Sequence, residues 1–222
     1  MRENFLRLDE SRIVCQAIPA TPEDLDWIFQ LEIDAYSAQH AVARLTLEMW
    51  YGCNPDGFSI LTINGQKIGH LTIIPLHAKV VESFEQGTIL EQDLKADSLY
   101  TSAEKQLIKN LYVESIIIDS HDGRSTLPIK AFTRLAHDFV PLMKRICEPA
   151  NLENIYALAA SGRGASFMKR LGFDEVQSGR QRADNRKLYV ANFGVLQTII
   201  LELYNRRLRK NWKLETVRET DE

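Results

Sequence analysis

Apolar residues along this chain recur at two spacings, and each change of spacing marks an element. Ile13 to Ile18 is a short β-like run. Thr21-Pro22-Glu23-Asp24 then has the form of a helix start, with a hydroxyl cap, proline in the first turn and acids where the helix dipole favours them. Leu25, Ile28, Phe29, Ile33 and Tyr36 follow at helical spacing. A second, shorter helix is predicted over Thr46 to Tyr51, ended by the turn chemistry of Asn54-Pro55-Asp56-Gly57. Phe58 to Ile63 and Lys67 to Ile74 are β-rich runs joined by Asn64-Gly65, a hairpin signal because both turn positions need positive φ. Pro75 is expected to close the second strand. Residues 76 to 110 are polar and charged, with short helices expected over Glu91 to Asp97 and Ser102 to Lys109. They read as an insertion between strands.

The best strand is Leu111 to Asp119 (LYVESIIID), whose β-branched run suits burial on both faces at one end. Pro128 then stands in a first helical turn, and Ile129, Phe132, Ala136, Phe139 and Met143 make one apolar stripe. Pro141 is expected to kink or end that helix. Asn154 to Ala159 returns as a strand, so residues 111 to 159 read as one right-handed βαβ unit. A small helix, Arg163 to Leu171, ends at Gly172, where a left-handed cap is wanted. Val176 and Lys187 to Phe193 suggest a last pair of strands joined by the basic segment 179 to 186. From Val195 to Trp212 a final helix carries Leu196, Ile199, Ile200, Leu203, Tyr204 and Leu208 on one face. That stripe must pack on its own sheet, on the insertion or on a second subunit, and a homodimer contact is the favoured expectation. The pattern predicts one α/β domain with a mixed sheet and a helical tail.

Composition narrows the function classes. With 45% hydrophobic and 26% charged residues in a chain of 222, the sequence is neither disordered nor collagen-like and can bury a substantial core. A net charge of −3 gives no long-range pull toward nucleic acid or an anionic membrane, and neither partner is expected. Arg206, Arg207, Arg209, Lys210 and Lys213 form a local basic cluster, but Glu215, Glu219, Asp221 and Glu222 follow it. Cys15, Cys53 and Cys147 lie far apart without a CxxC pair, which suits a reducing cytoplasm better than a disulfide framework or a zinc site. The first ten residues lack a signal-peptide core, and no apolar run approaches the roughly 18 residues of a membrane span. A soluble cytoplasmic protein is expected. There is no HExxH, no GxSxG and no GxxxxGK[ST], so zinc hydrolase, serine hydrolase and nucleoside-triphosphatase readings lack their first requirement.

Two stretches carry a family resemblance. LYVESIIID, 111 to 119, followed by a loop and an amphipathic helix, is similar to the cofactor-binding strand, pyrophosphate loop and helix of the GNAT superfamily of acyl-CoA-dependent N-acetyltransferases. Ala165-Ser-Phe-Met-Lys-Arg-Leu-Gly-Phe173 resembles the small helix ending in Leu-Gly-Phe that precedes that family's last two strands. The resemblance implies a mixed, mostly antiparallel central sheet with helices on both faces over residues 1–193, with the amphipathic helix and polar tail at 194–222. It also implies transfer of an acetyl group from acetyl-CoA, as co-substrate and without a metal, to a small-molecule or protein amine by direct transfer in a ternary complex. The alternative is a non-catalytic module of the same shape that binds acyl-CoA or regulates.

The same resemblance assigns roles. Backbone amides of Ile116, Ile117 and Ile118 would face the acyl and pantetheine groups. The loop residues His121, Asp122, Gly123, Arg124, Ser125 and Thr126 would cradle the pyrophosphate, with Gly123 permitting unusual backbone angles and Arg124 adding charge-assisted bonds. An ordinary capped turn is the plainer reading of that loop. Ser161 would contact the pantetheine arm. Trp50 and Tyr51 fall where relatives shape the acceptor pocket, and as core or lid aromatics they need no such role. Glu114 would be the general base, although a carboxylate of ordinary pKa near 4.3 accepts an ammonium proton poorly unless burial raises it. Met168 stands where relatives carry an acidic tyrosine, so the acid is unassigned, with Tyr156 and Tyr189 as substitutes.

Overall fold

The computed structural model describes residues 15–36, 41–118, 127–179 and 182–218, with side chains except at 127–133 and 207–218. Seven strands, β1 (Cys15–Pro19), β2 (Phe58–Ile63), β3 (Gln66–Leu76), β4 (Asn110–Ile118), β5 (Asn154–Ala159), β6 (Asp174–Gln177) and β7 (Lys187–Asn192), form one sheet in the order β1-β2-β3-β4-β5-β7-β6. Every neighbouring pair is antiparallel except β4 and β5. The helices are α1 (Leu25–Tyr36), α2 (Arg44–Cys53), α3 (Ala78–Glu85), α4 (Leu127–Ile146), α5 (Gly162–Arg170) and α6 (Phe193–Arg218). None of the described helices is long and apolar enough to cross a membrane. The expected α/β architecture, a mostly antiparallel sheet with a helical tail, is the one observed.

Local chemistry explains most of these elements. Asn64 and Gly65 take φ of 50° and 80°, the left-handed pair that turns β2 into β3. At Gly69, a Cβ would lie 2.2 Å from the Ile117 carbonyl oxygen, so only glycine lets β3 and β4 approach there. Gly172, with φ of 81°, ends α5 as expected.

Proline behaves differently from the expectation in two places. Pro75 lies inside β3, paired with Leu111, because its carbonyl accepts from the Tyr100 N–H on the side away from β4. The missing N–H therefore points past the end of β2, and no ladder bond is lost. Pro141 is exposed within α4, which continues to Ile146.

The insertion also differs. Val80 and Phe84 bury one face of α3, a helix whose start at His77 has no side-chain cap and so gave no sequence signal. In place of the two expected short helices are three 3-10 turns, Glu91–Asp93, Ala96–Ser98 and Ser102–Leu107. At their starts the Asp93, Ser98 and Glu104 side chains accept the N–H groups of Leu90, Lys95 and Thr101.

Burial falls into two clusters on opposite sheet faces. One gathers Leu111, Ile155, Met143 and Ile146 beneath α4 and α6; the other gathers Ile28, Leu47, Trp50, Phe84 and Tyr112 with α1, α2 and α3. On α6, Leu196 and Ile200 are buried while Ile199, Leu203 and Tyr204 pack against the first cluster. The stripe that motivated a homodimer thus covers the chain's own core from Leu196 to Tyr204; the Leu208 side chain lies outside the described residues.

Candidate active site

The parallel ladder between β4 and β5 runs only from Asn110↔Asn154 to Val113↔Ala157, although β4 continues to Ile118 and β5 to Ala159. The two strands therefore part at their carboxyl ends, the place where open α/β sheets collect ligands. Successive strand residues point their N–H groups to opposite edges, so alternate amides of β4 beyond Val113 face the opening.

A bulge sits where the strands part. Thr72 pairs with Ser115 and Ile73 with Val113, which leaves Glu114 as the extra residue on β4. Its side chain turns to the α1 face, where it lines a polar cavity of about 470 Å³ with Ala35, Tyr36, Glu91, Asp184 and Arg186. Oε2 of Glu114 is sealed from solvent and has no hydrogen-bond partner among the described residues.

Behind Glu114 lies a buried polar cluster. Glu32, on α1, is fully buried, with the Val42 backbone and the Glu114 and Ser115 side chains facing its carboxyl group. His70 of β3, equally buried, places Nε2 3.8 Å from Glu32 Oε1. Its Nδ1 lies 3.3 Å from Thr72 Oγ1 and 3.4 Å from Ser115 Oγ. Those hydroxyls can donate to Nδ1, which leaves the ring proton on Nε2 and aimed at Glu32. Burial pushes the imidazole down to about 3, so His70 is neutral and adds no charge.

Two buried carboxyls side by side cannot both ionise cheaply, and Arg186, already paired with Glu91 and Asp184, offsets this at Glu114 only in part. Burial first, and then the charge of Glu91, push Glu32 up to about 8. Glu114 is also held well above the usual carboxylate range, by burial first and then by the charges of Glu32 and Glu91. At neutral pH the pair holds at least one proton.

The cavity's outer wall is ion-paired. Arg186 places Nη1 2.7 Å from Glu91 Oε2 and Nη2 3.5 Å from Asp184 Oδ2, and the Tyr112 hydroxyl donates to Glu91. Burial works against the Arg186 charge, but the carboxylate of Glu91 outweighs it and the guanidinium stays protonated. Arg182 anchors this loop, donating to the Phe84 carbonyl at 2.7 Å and pairing with Asp184 at 3.2 Å. The insertion and the β6–β7 connection, far apart in sequence, thus close the site together. Among the described residues, no three His, Cys, Asp or Glu side chains are arranged to hold a metal.

The residues expected from the sequence fall in different places. Glu114 is central. Ile116, Ile117 and Ile118 lie on β4 beyond the parting; Ile117 pairs with His70 through β3, while the side chains of Ile116 and Ile118 line an apolar cavity on the α4 face. His121, Asp122, Gly123, Arg124, Ser125 and Thr126 lie outside the described residues.

Three other expected residues have structural partners of their own. Ser161 caps α5, its Oγ accepting the Gly164 N–H at 3.1 Å, so that oxygen already serves the helix. Trp50 is wholly buried and donates through Nε1 to the Leu94 carbonyl at 3.0 Å, which makes it core. Tyr51 donates to the Ala20 carbonyl at 3.0 Å and stacks edge-on against Phe58, away from the polar cavity. The substitute acids are engaged too: Tyr156 donates to Glu85 and Tyr189 to Glu175. Met168 packs against the apolar core.

Glu32, His70, Glu91 and Arg186 were not singled out from the sequence. For two of them a signal existed. Glu32 follows Ile28 by four and Leu25 by seven, which puts a carboxylate on the buried stripe of α1. His70 interrupts an apolar run that the sheet buries on both faces.

No protein-family model and no curated protein matches this sequence. Solved structures do match it in fold. The loading GNATL domain of CurA from Lyngbya majuscula is 13% identical with a TM-score of 0.55, covering 82% of this chain and 98% of that one. The GphF GNAT-like decarboxylase in complex with isobutyryl-CoA is 16% identical with a TM-score of 0.53, covering 82% of this chain and 99% of that one. An acetyltransferase of the GNAT family from Staphylococcus aureus is 10% identical with a TM-score of 0.50, covering 81% of this chain and 99% of that one. With its parted β4 and β5 and the bulge in β4 against β3, this chain has the fold of the GNAT superfamily.

Proposed function

We propose that the protein transfers an acyl group from acyl-CoA directly to an amine, small-molecule or protein-borne, while both substrates are bound. The observation that carries this reading is the bulged Glu114, placed where the sheet opens and backed by the buried Glu32. The thioester supplies an activated acyl carbon. Alternate β4 amides at the opening offer backbone donors for the negative charge that develops on the acyl oxygen. The apolar cavity on the α4 face, lined by Val113, Ile116 and Ile118, can take a nonpolar portion of the donor.

The acceptor side suits an amine. Glu91, Glu114, Asp184 and Arg186 line the cavity, so its walls offer carboxyl oxygens that can accept the N–H groups of an amine. Attack requires the neutral amine. A carboxylate held well above its ordinary range takes a proton far more readily than a solvated glutamate, and the Glu114–Glu32 pair meets this need. As the C–N bond forms and the C–S bond breaks, the amine proton passes to this pair and the sulfur leaves as thiolate. Much of the rate comes from alignment of the two reactants, worth on the order of 7 to 11 kcal/mol. A panel of amines tested with acyl-CoA by thiol release checks the reading. Release that depends on a particular amine supports it, and CoA binding with no turnover on any amine class would leave only a binding module.

A further inference from the structure

On the α4 face of the sheet, opposite the polar cavity, lies a second cavity of about 290 Å³ whose lining among the described residues is apolar. Val113, Ile116 and Ile118 of β4 and Ile155 of β5 form its sheet wall; α4 and α6 close it with residues that include Ala136 and Ile200. Ile116, 45% exposed, and Phe167 of α5, 37% exposed, stand at its edge, so it reaches the surface beside the parting of β4 and β5. Both cavities therefore meet the same opening from opposite faces.

We infer that this second cavity holds the hydrocarbon chain of the acyl donor, and that the preferred donor is a medium-chain acyl-CoA rather than acetyl-CoA. The inference rests on the acyl-transfer reading above and narrows its substrate class. Three observations select the occupant. Water needs two to four polar partners, and the described lining residues bring no polar side chain to these walls. The amides of a pantetheine arm would likewise lose their hydrogen bonds there, which leaves pure hydrocarbon as the matching chemistry. A dry cavity of about 150 Å³ accepts benzene, so 290 Å³ has room for a chain of about eight to twelve carbons. Its position completes the argument. A thioester carbon at the opening can send its chain down the α4 face while the amine approaches Glu114 from the α1 face.

Calorimetric titration of the whole protein with CoA and with acetyl-, butyryl-, hexanoyl-, octanoyl- and decanoyl-CoA tests this. Each buried methylene is worth about 0.8 kcal/mol, so affinity should rise roughly threefold to fourfold per methylene and level off near the longest donors. Ala136→Phe, which fills the cavity from α4, should move the plateau to shorter chains; Ile200→Phe serves as the same test from α6. CoA binding with equal affinity for acetyl and decanoyl donors would overturn the inference and leave the acyl-transfer reading standing. A length preference unchanged in both filled variants would also overturn it, since the chain would then lie elsewhere. If neither CoA nor any thioester bound, the acyl-transfer reading would fail and this inference with it.

Discussion

Replacing Glu32 with glutamine tests whether the buried carboxyl pair is real, without any knowledge of substrate. In the folded protein Glu32 is raised from 4.5 to about 8, by burial first and then by the charge of Glu91. In the unfolded chain it ionises at its ordinary value. Between these limits the folded state holds one proton more than the unfolded state. Its stabilising contribution is therefore complete below about pH 4.5 and is lost as pH rises toward 8. Each pH unit in that window removes a little over 1 kcal/mol, so the loss from about pH 5.5 to 7.5 is on the order of 2 to 3 kcal/mol. Glutamine cannot titrate and keeps nearly the same shape. The gap in unfolding free energy between Glu32→Gln and the unaltered protein should thus move in the variant's favour by about 2 to 3 kcal/mol over that range. His70, lowered to about 3 by burial, has the opposite slope, gaining stability as pH rises toward 6.5. That slope is common to both proteins and drops out of the difference, whereas Glu114, which loses the charge of Glu32 in the variant, shifts in the same sense as the pair and adds to the gap. Urea unfolding followed by fluorescence of the buried Trp50 at several pH values supplies the curves. Parallel pH dependences for the two proteins would refute the argument.

Other substitutions probe the neighbouring contacts. Gly69→Ala drives a Cβ to within 2.2 Å of the Ile117 carbonyl and should cost about 1 to 3 kcal/mol, read as a lowered Tm. Trp50→Phe removes the bond to the Leu94 carbonyl and should lower stability by about 1 to 3 kcal/mol. Because Trp50 is core, its KM for the amine should not change; a raised KM would restore it to the acceptor site. Arg186→Met strips Glu91 of its cation and, with Arg186 about a quarter exposed, should cost on the order of 2 to 4 kcal/mol in chemical denaturation.

The parts of this fold that were legible in the sequence rest on local rules. The Asn64-Gly65 turn, the Gly172 cap and the strand–helix–strand pattern from 111 to 159 are each written within a few residues. What depends on a partner was not legible. The β4 bulge exists only against the register of β3, and Pro75 is tolerated only because β2 stops short of it. α3 begins without a capping side chain, so its burial through Val80 and Phe84 is decided by tertiary packing. In the site, Glu114 could be chosen from its strand, but the reasons it can act as a base are its burial in the folded sheet and then the charge of Glu32, 82 residues earlier, and neither is written near it in the sequence. Arg186 and Glu91 meet across a comparable distance and have no common sequence pattern.

The central claim, that Glu114 takes the amine proton, is tested most directly by the pH dependence of kcat for Glu114→Gln and the unaltered protein at saturating acyl-CoA. The unaltered protein should gain rate as pH rises through the elevated carboxyl range, since only the ionised form accepts a proton. Glu114→Gln should lose about 10² to 10⁴ in kcat and that rising limb together, while binding acyl-CoA as before. A kcat within about threefold of the unaltered protein, with the same pH profile, would contradict the claim and assign the proton to water or another group.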